Sequence, residues 1–324
     1  MAQREGVDGG IAAEATGPGP GWGWTETSLL GMVLVWGANF AVVKRTLATF
    51  DPLAFNGLRF LIASLFVAAV LRAQGPIPRP DRRDVPRLVA IGILGNVLYQ
   101  VAFILGLSRT AAGHASVVLA LSPMFTALLS RWTGHERPGG RTWSGAALSI
   151  LGIALVSSGS LRAGAPPGAL VGDLILVGSA VLWAAYTVGS RPLVQRYGAV
   201  PTTAWTLWIG TPPLLLAGAP ALLRQRWSGI SPGAWGGLFF SACLSIGLAY
   251  LIWYRGVEKI GNTRTAIFSN LTPLVALAVS AAWLGERPSA LSMVGVALTL
   301  GGVMWVRSDH GRHGAPREAL AAEG

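Results

Sequence analysis

Apolar residues along this chain do not alternate with polar ones. They run in ten long blocks separated by short polar joints. A helix rises ~1.5 Å per residue, so about 20 apolar residues cross a ~30 Å hydrocarbon core. The blocks predict helices over residues 27–46, 54–72, 87–107, 113–132, 142–159, 172–190, 201–222, 234–254, 264–284 and 289–306. The expected fold class is an all-α integral membrane protein.

The pattern occurs twice. Residues 106–158 align without a gap to residues 256–308, at an offset of 150. Pro123 matches Pro273, Glu136-Arg137-Pro138 matches Glu286-Arg287-Pro288, Gly145 matches Gly295, and Gly152 matches Gly302. A repeat this long marks two related halves rather than a solenoid. The expected organisation is a disordered tail over 1–24, a first five-helix repeat over 25–159, a Gly/Pro/Ala-rich linker over 160–171, a second five-helix repeat over 172–308, and a disordered tail over 309–324. The first tail lacks the basic start and short apolar core of a signal peptide.

Composition agrees with a bilayer. Of 324 residues, 52% are hydrophobic and only 12% charged, and mean hydropathy is +0.53. The net charge of +11 does not indicate nucleic acid, because the basic residues fall in the joints, where they orient helices and meet anionic headgroups. With the N-terminus placed in the cytoplasm, 17 basic residues fall on the inner side and 7 on the outer. That excess places both termini in the cytoplasm, for a multi-pass protein of the cytoplasmic (inner) membrane. Five spans per half then make the second half enter upside down, an inverted-topology repeat of the kind transporters use.

The residues Trp36-Gly37-Ala38-Asn39-Phe40, Leu58-Arg59-Phe60 and the two Glu-Arg-Pro joints, taken in order with the repeat, resemble the drug/metabolite transporter superfamily, EamA type. The resemblance spans about residues 27–306. It implies ten helices, a central cavity between the halves, and export or exchange of small metabolites or drugs. The second half departs from the pattern: Trp183-Ala184-Ala185-Tyr186 stands where the first half has Trp36-Gly37-Ala38-Asn39. A chemically symmetric site is therefore not expected.

Polar groups inside a bilayer are costly and face protein or water. Asn96, Tyr99, Gln100 and Phe103 share one face of the third predicted helix. Trp36 and Asn39 in the first helix, Trp183 and Tyr186 in the sixth, Tyr250 and Trp253 in the eighth, and Asn270 in the ninth are the corresponding candidates. These faces are expected to meet between the halves, where rings form an apolar wall and amides orient a solute. Helix-to-helix hydrogen bonding would use the same residue types. Arg59 is the one ionisable residue well inside a predicted span. It reads either as a side chain reaching the outer headgroups or helix carbonyls, or as a cationic anchor for a substrate carboxylate. Pro123 and Pro273 are expected as mid-span kinks, serving as hinges or as static bends.

The Glu-Arg-Pro joints read as helix-start devices, with Glu136 and Glu286 at the positive end of the helix that follows. Small residues in the fifth and tenth spans (Gly145, Ser149, Gly152; Gly295, Thr299, Gly302) suit close packing, within each half or in a homodimer. Cys243 lies in an apolar block and has no intrachain partner. His114 and His135 read as loop or helix-end residues. No Walker loop, HExxH or nucleophile set is present, so neither an enzyme nor a cofactor or metal is expected. Glu26, Asp51 and Asp173 fall at the span rims, which favours a facilitator or exchanger over a proton antiporter. The expected partners are a small-molecule solute and the lipid bilayer. The function expected is a permease exporting amino acids or similar amphipathic solutes by alternating access. The alternatives are a proton-coupled multidrug exporter and a membrane-embedded enzyme of lipid or prenyl chains.

Overall fold

The computed structural model describes residues 23–75, 79–132, 140–158, 167–269 and 271–313. Residues 1–22 and 314–324 of the expected tails, most of the 160–171 linker and the joint around Glu136 lie outside the described residues, as do His135 and Asn270; residues 309–313, expected as tail, continue the last helix. Among the described residues all regular structure is helical.

In order, the helices are α1 (Trp24–Thr46), α2 (Pro52–Gln74), α3 (Val85–Ile93), α4 (Tyr99–Arg109), α5 (Ala112–Leu119), α6 (Ser122–Trp132), α7 (Gly140–Ser157), α8 (Ala169–Tyr197), α9 (Ala199–Arg224), α10 (Pro232–Phe239), α11 (Ala249–Ser269), α12 (Thr272–Leu284) and α13 (Ala290–His313). Two π-helical segments join neighbours into longer rods: Leu94–Leu98 links α3 to α4, and Phe240–Leu248 links α10 to α11. Six rods are long and apolar enough to cross a membrane: 24–46, 52–73, 85–109, 169–197, 199–224 and 232–253. Shorter apolar helices cover 112–126, 143–157, 272–284 and 290–305. Large side chains such as Leu34, Leu65, Ile150 and Leu216 stand exposed on the outside. An apolar surface this broad belongs against lipid tails.

Several boundaries differ from the pattern-based expectation. The fourth predicted span is broken at Ala120–Leu121, between α5 and α6. Residues 255–263, expected as a joint, continue α11 as helix to Ser269. The prolines explain the restart points. Pro123 and Pro273 are each the second residue of a new helix, α6 and α12, not kinks within a continuous one. A first-turn proline forgoes only a donor that would be unpaired anyway.

The small-residue faces of α7 and α13 pack on each other, so they are used neither within one half nor left outward for a second copy. Gly152 lies against Thr299 and the Gly295 carbonyl, Gly302 against Ser149 and the Gly145 carbonyl, and Ser149 Oγ donates to Thr299 O at 3.2 Å. Residue 145 opposes 302 while 152 opposes 295, so the two helices run antiparallel. Elsewhere too the halves interleave: α1 packs along α11 and α12, α8 along α4 and α6, and α2 along α9.

At the helix ends, cross-chain contacts hold the loops. Asp51 caps α2 by accepting from Leu53 N at 2.8 Å. Gln225 accepts from Asp51 N at 2.8 Å and donates to Thr49 O at 3.0 Å. On the loop before α3, Arg196 pairs with Asp81 at 3.1 Å and Asp84 at 2.9 Å, and Tyr197 donates to Asp84 at 2.6 Å. Glu286 does meet a helix N-terminus, but not that of the following helix. Its two oxygens accept from Ala112 N at 2.7 Å and Gly113 N at 2.9 Å, capping α5 in the other half. Lys44 Nζ closes the preceding helix end by donating to Leu107 O and Ser108 O, both at 3.0 Å.

Candidate functional site

Arg59 lies on α2 and is 2% exposed. Neither of the expected resting places, headgroup or helix carbonyl, receives it. Its Nη2 donates to Asn56 Oδ1 and Gln100 Oε1, both at 2.7 Å, and its Nη1 to Ser241 Oγ at 3.3 Å. Asn56 Nδ2 in turn donates to Gln100 O at 3.2 Å, so the acceptors are themselves fixed. The rings of Phe55, Phe60 and Phe103 stand 5.5, 5.5 and 5.6 Å from the guanidinium carbon, within cation–π range. Nε is buried without a partner. Among the described residues no carboxylate bonds to this cation.

Two aromatic arms flank the cation. In one, Tyr99 on α4 lies 4.9 Å from Trp183 on α8, which lies 5.4 Å from Tyr186. In the other, Trp36 on α1 lies 6.0 Å from Tyr250 and 5.6 Å from Trp253, both on α11. Phe103 joins the first arm to Phe40 of α1, at 6.2 and 6.0 Å. Trp36 and Trp183 hold corresponding places in the two halves, and each packs on a tyrosine of a rod containing a π segment. Those segments end directly before Tyr99 and Ala249. A π turn shifts the helix register by one residue and recurs at functional sites.

The other candidates fall around this centre. Gln100 is 5% exposed and turns its amide oxygen to Arg59. Asn39 is 7% exposed, with its Oδ1 unpartnered. Asn96 turns to α9, its Cβ over Gly210, and its Nδ2 has no partner. Tyr186 pairs with Thr206 at 3.2 Å. Trp36 Nε1 donates to Ser245 O at 3.0 Å. The amides are thus packed, while the Trp36, Tyr99, Trp183, Tyr250 and Trp253 rings remain half-buried. Sequence reasoning missed Asn56 and Ser241. Asn56 carried a signal, a polar residue one turn before Arg59 in an apolar block; Ser241 carried none. Asp173, placed at a rim by sequence, is 1% exposed and accepts from Thr110 Oγ1 at 2.5 Å. Among the described residues no group of His, Cys, Asp and Glu is arranged to hold a metal ion.

A bundle of apolar rods with a buried cation between aromatic arms defines a multi-pass membrane protein with a polar centre. The model of the EamA-like transporter family matches residues 23–158 and again 170–308, so the chain belongs to that family. Among its relatives, an uncharacterized transporter, YyaM, of Bacillus subtilis is 28% identical over 85% of this chain and 91% of that protein. A probable terminal-alkyne amino-acid exporter of Streptantibioticus cattleyicolor is 28% identical over 86% and 92%. A probable amino-acid metabolite efflux pump of Salmonella typhimurium is 28% identical over 84% and 91%. A solved crystal structure shares the fold at a TM-score of 0.62, with 19% identity over 89% of this chain and 98% of that one.

Proposed function

We propose that this chain exports small amphipathic organic solutes, amino acids or related metabolites, across the cytoplasmic membrane by alternating access. In this reading ten helices form two inverted five-helix halves with both termini cytoplasmic. Trp36, Asn39, Arg59, Asn96, Tyr99, Gln100, Trp183, Tyr186, Tyr250, Trp253 and Asn270 line the solute path, and the helix restarts at Pro123 and Pro273 act as hinges. The observation that carries the reading is the centre itself. Residues of α2, α4 and the π segment Phe240–Leu248 hold one buried cation, and half-buried rings of α1, α4, α8 and α11 form two aromatic arms in the same bundle. Such a centre suits a solute with one polar end and an apolar body. The antiparallel crossing of α7 and α13 supports the inverted arrangement. The names of the relatives support export and the amino-acid class.

Purified protein in sealed vesicles, loaded in turn with a panel of amino acids and aromatic metabolites, tests this reading. Solute movement above that of empty vesicles is expected, and none across the panel would contradict it. Flux without an imposed pH gradient is the expected facilitator or exchanger behaviour. A proton-coupled exporter is the second reading, favoured by the buried Asp173. Strict dependence on a pH gradient, lost in Asp173→Asn, would select it.

A further inference from the structure

The hydrogen bonds of Arg59 hold its guanidinium in place but do not neutralise it. Its partners, Asn56, Gln100 and Ser241, are neutral acceptors that use Nη1 and Nη2. Taking an ion out of water remains costly after local relaxation, and neutral partners offset only part of that cost. The three phenylalanine faces add attraction but no charge. Of its five N–H donors three are used, leaving one on Nη1 and Nε–H, and Nε is buried without a partner. Two phenols stand nearby, one from each half. Tyr99 stacks at 6.2 Å on Phe103, whose ring is 5.6 Å from the guanidinium carbon, and Tyr250 packs against the cluster holding Phe60, whose ring is 5.5 Å from it. Each also anchors one of the aromatic arms.

We propose that Arg59, Tyr99 and Tyr250 form a carboxylate-binding subsite, so that the recognised solute is a monoanionic carboxylate with an aromatic or apolar body. One cation among neutral neighbours matches a single negative charge. A phosphate dianion would call for more than one cation or bound metal. Asn56, Gln100 and Ser241 are positioning residues: they orient the guanidinium and leave Nε–H and one Nη1–H to the ligand. The rings at 4.9 to 6.0 Å from one another supply the wall for the apolar body. This inference rests on the transporter reading for what happens after binding, but binding itself requires no flux.

The test is equilibrium binding to the full chain in detergent, read by tryptophan fluorescence. The probes are phenylacetate, 3-phenylpropanoate and indole-3-acetate, each compared with its uncharged amide. Each carboxylate is expected to bind about tenfold or more tightly than its amide, the size of one hydrogen bond to a charged group. Arg59→Gln should abolish that preference. Because Arg59→Gln removes a buried cation's own network and could fail to fold, Tyr99→Phe and Tyr250→Phe provide the second arm, each reducing the preference severalfold while the melting temperature stays near wild type. Amides that bind as tightly as the carboxylates would overturn the proposal. So would an absence of saturable binding by all three carboxylates, or a preference that survives both tyrosine changes. Vesicle flux is scored separately, so a working transporter with no carboxylate preference would sink only this subsite.

Discussion

Gly301 and Gly302 are neighbours on α13 with opposite surroundings. A Cβ at Gly302 would stand 2.4 Å from Ser149 Oγ, 2.5 Å from Gly145 O and 2.8 Å from Ser149 N. Two of those three atoms are backbone, so rotating a side chain cannot relieve the clash. A Cβ at Gly301 would meet nothing within 4 Å. Gly302→Ala must therefore push α7 and α13 apart, at a cost of about 1–3 kcal/mol by analogy with overpacked cores. Gly301→Ala adds helix propensity with no clash and should be neutral or stabilising by up to ~1 kcal/mol. Unfolding of each variant in mixed micelles, followed by tryptophan fluorescence, measures the difference directly. A gap of about 1–4 kcal/mol between two adjacent alanine substitutions is expected from those two estimates. Equal stabilities would refute the antiparallel packing of α7 on α13, and with it the reason for the glycines at both helices.

Glu286→Ala should leave the amides of both Ala112 and Gly113 without their acceptor and cost about 1–3 kcal/mol, whereas Glu286→Gln keeps an oxygen for one amide but turns an NH2 donor toward the other and loses the charge, so its loss should be smaller than that of the alanine change; melting curves of the two variants check the order. Arg196→Ala breaks two ion pairs, but the arginine side chain is 54% exposed, so the loss should stay below about 1 kcal/mol in the same assay. Trp36→Ala and Gln100→Leu should reduce vesicle flux at near-normal expression. Flux equal to wild type in both would remove these residues from the proposed solute path.

What could be read from the sequence followed from periodicity and repetition. The apolar blocks predicted most helices, but the aromatic faces were expected to meet in one seam, not as two arms. Arg59 was visible as a lone cation in an apolar block, yet its partners were not, because Asn56 sits on its own helix while Gln100 and Ser241 arrive from distant ones. The face drawn through Asn96, Tyr99, Gln100 and Phe103 assumed an unbroken α-helix. The π segment Leu94–Leu98 changes the register, and Asn96 turns to Gly210 of α9. No residue type marks a π turn, so that shift was illegible. Glu286 was correctly read as a helix-cap charge, but its helix lies 173 to 174 residues away in sequence, a pairing only tertiary structure reveals.

The orientation of the two halves is open to a direct test. Cys243 is the only cysteine, so a Cys243→Ser background allows single cysteines to be placed at Gly164, in the linker, and at Arg4 or Ala321, in the tails. Labelling of intact cells with a membrane-impermeant maleimide should modify the linker cysteine from outside and the tail cysteines only after the membrane is opened. Modification of linker and tails from the same side would contradict an inverted pair of five-helix halves.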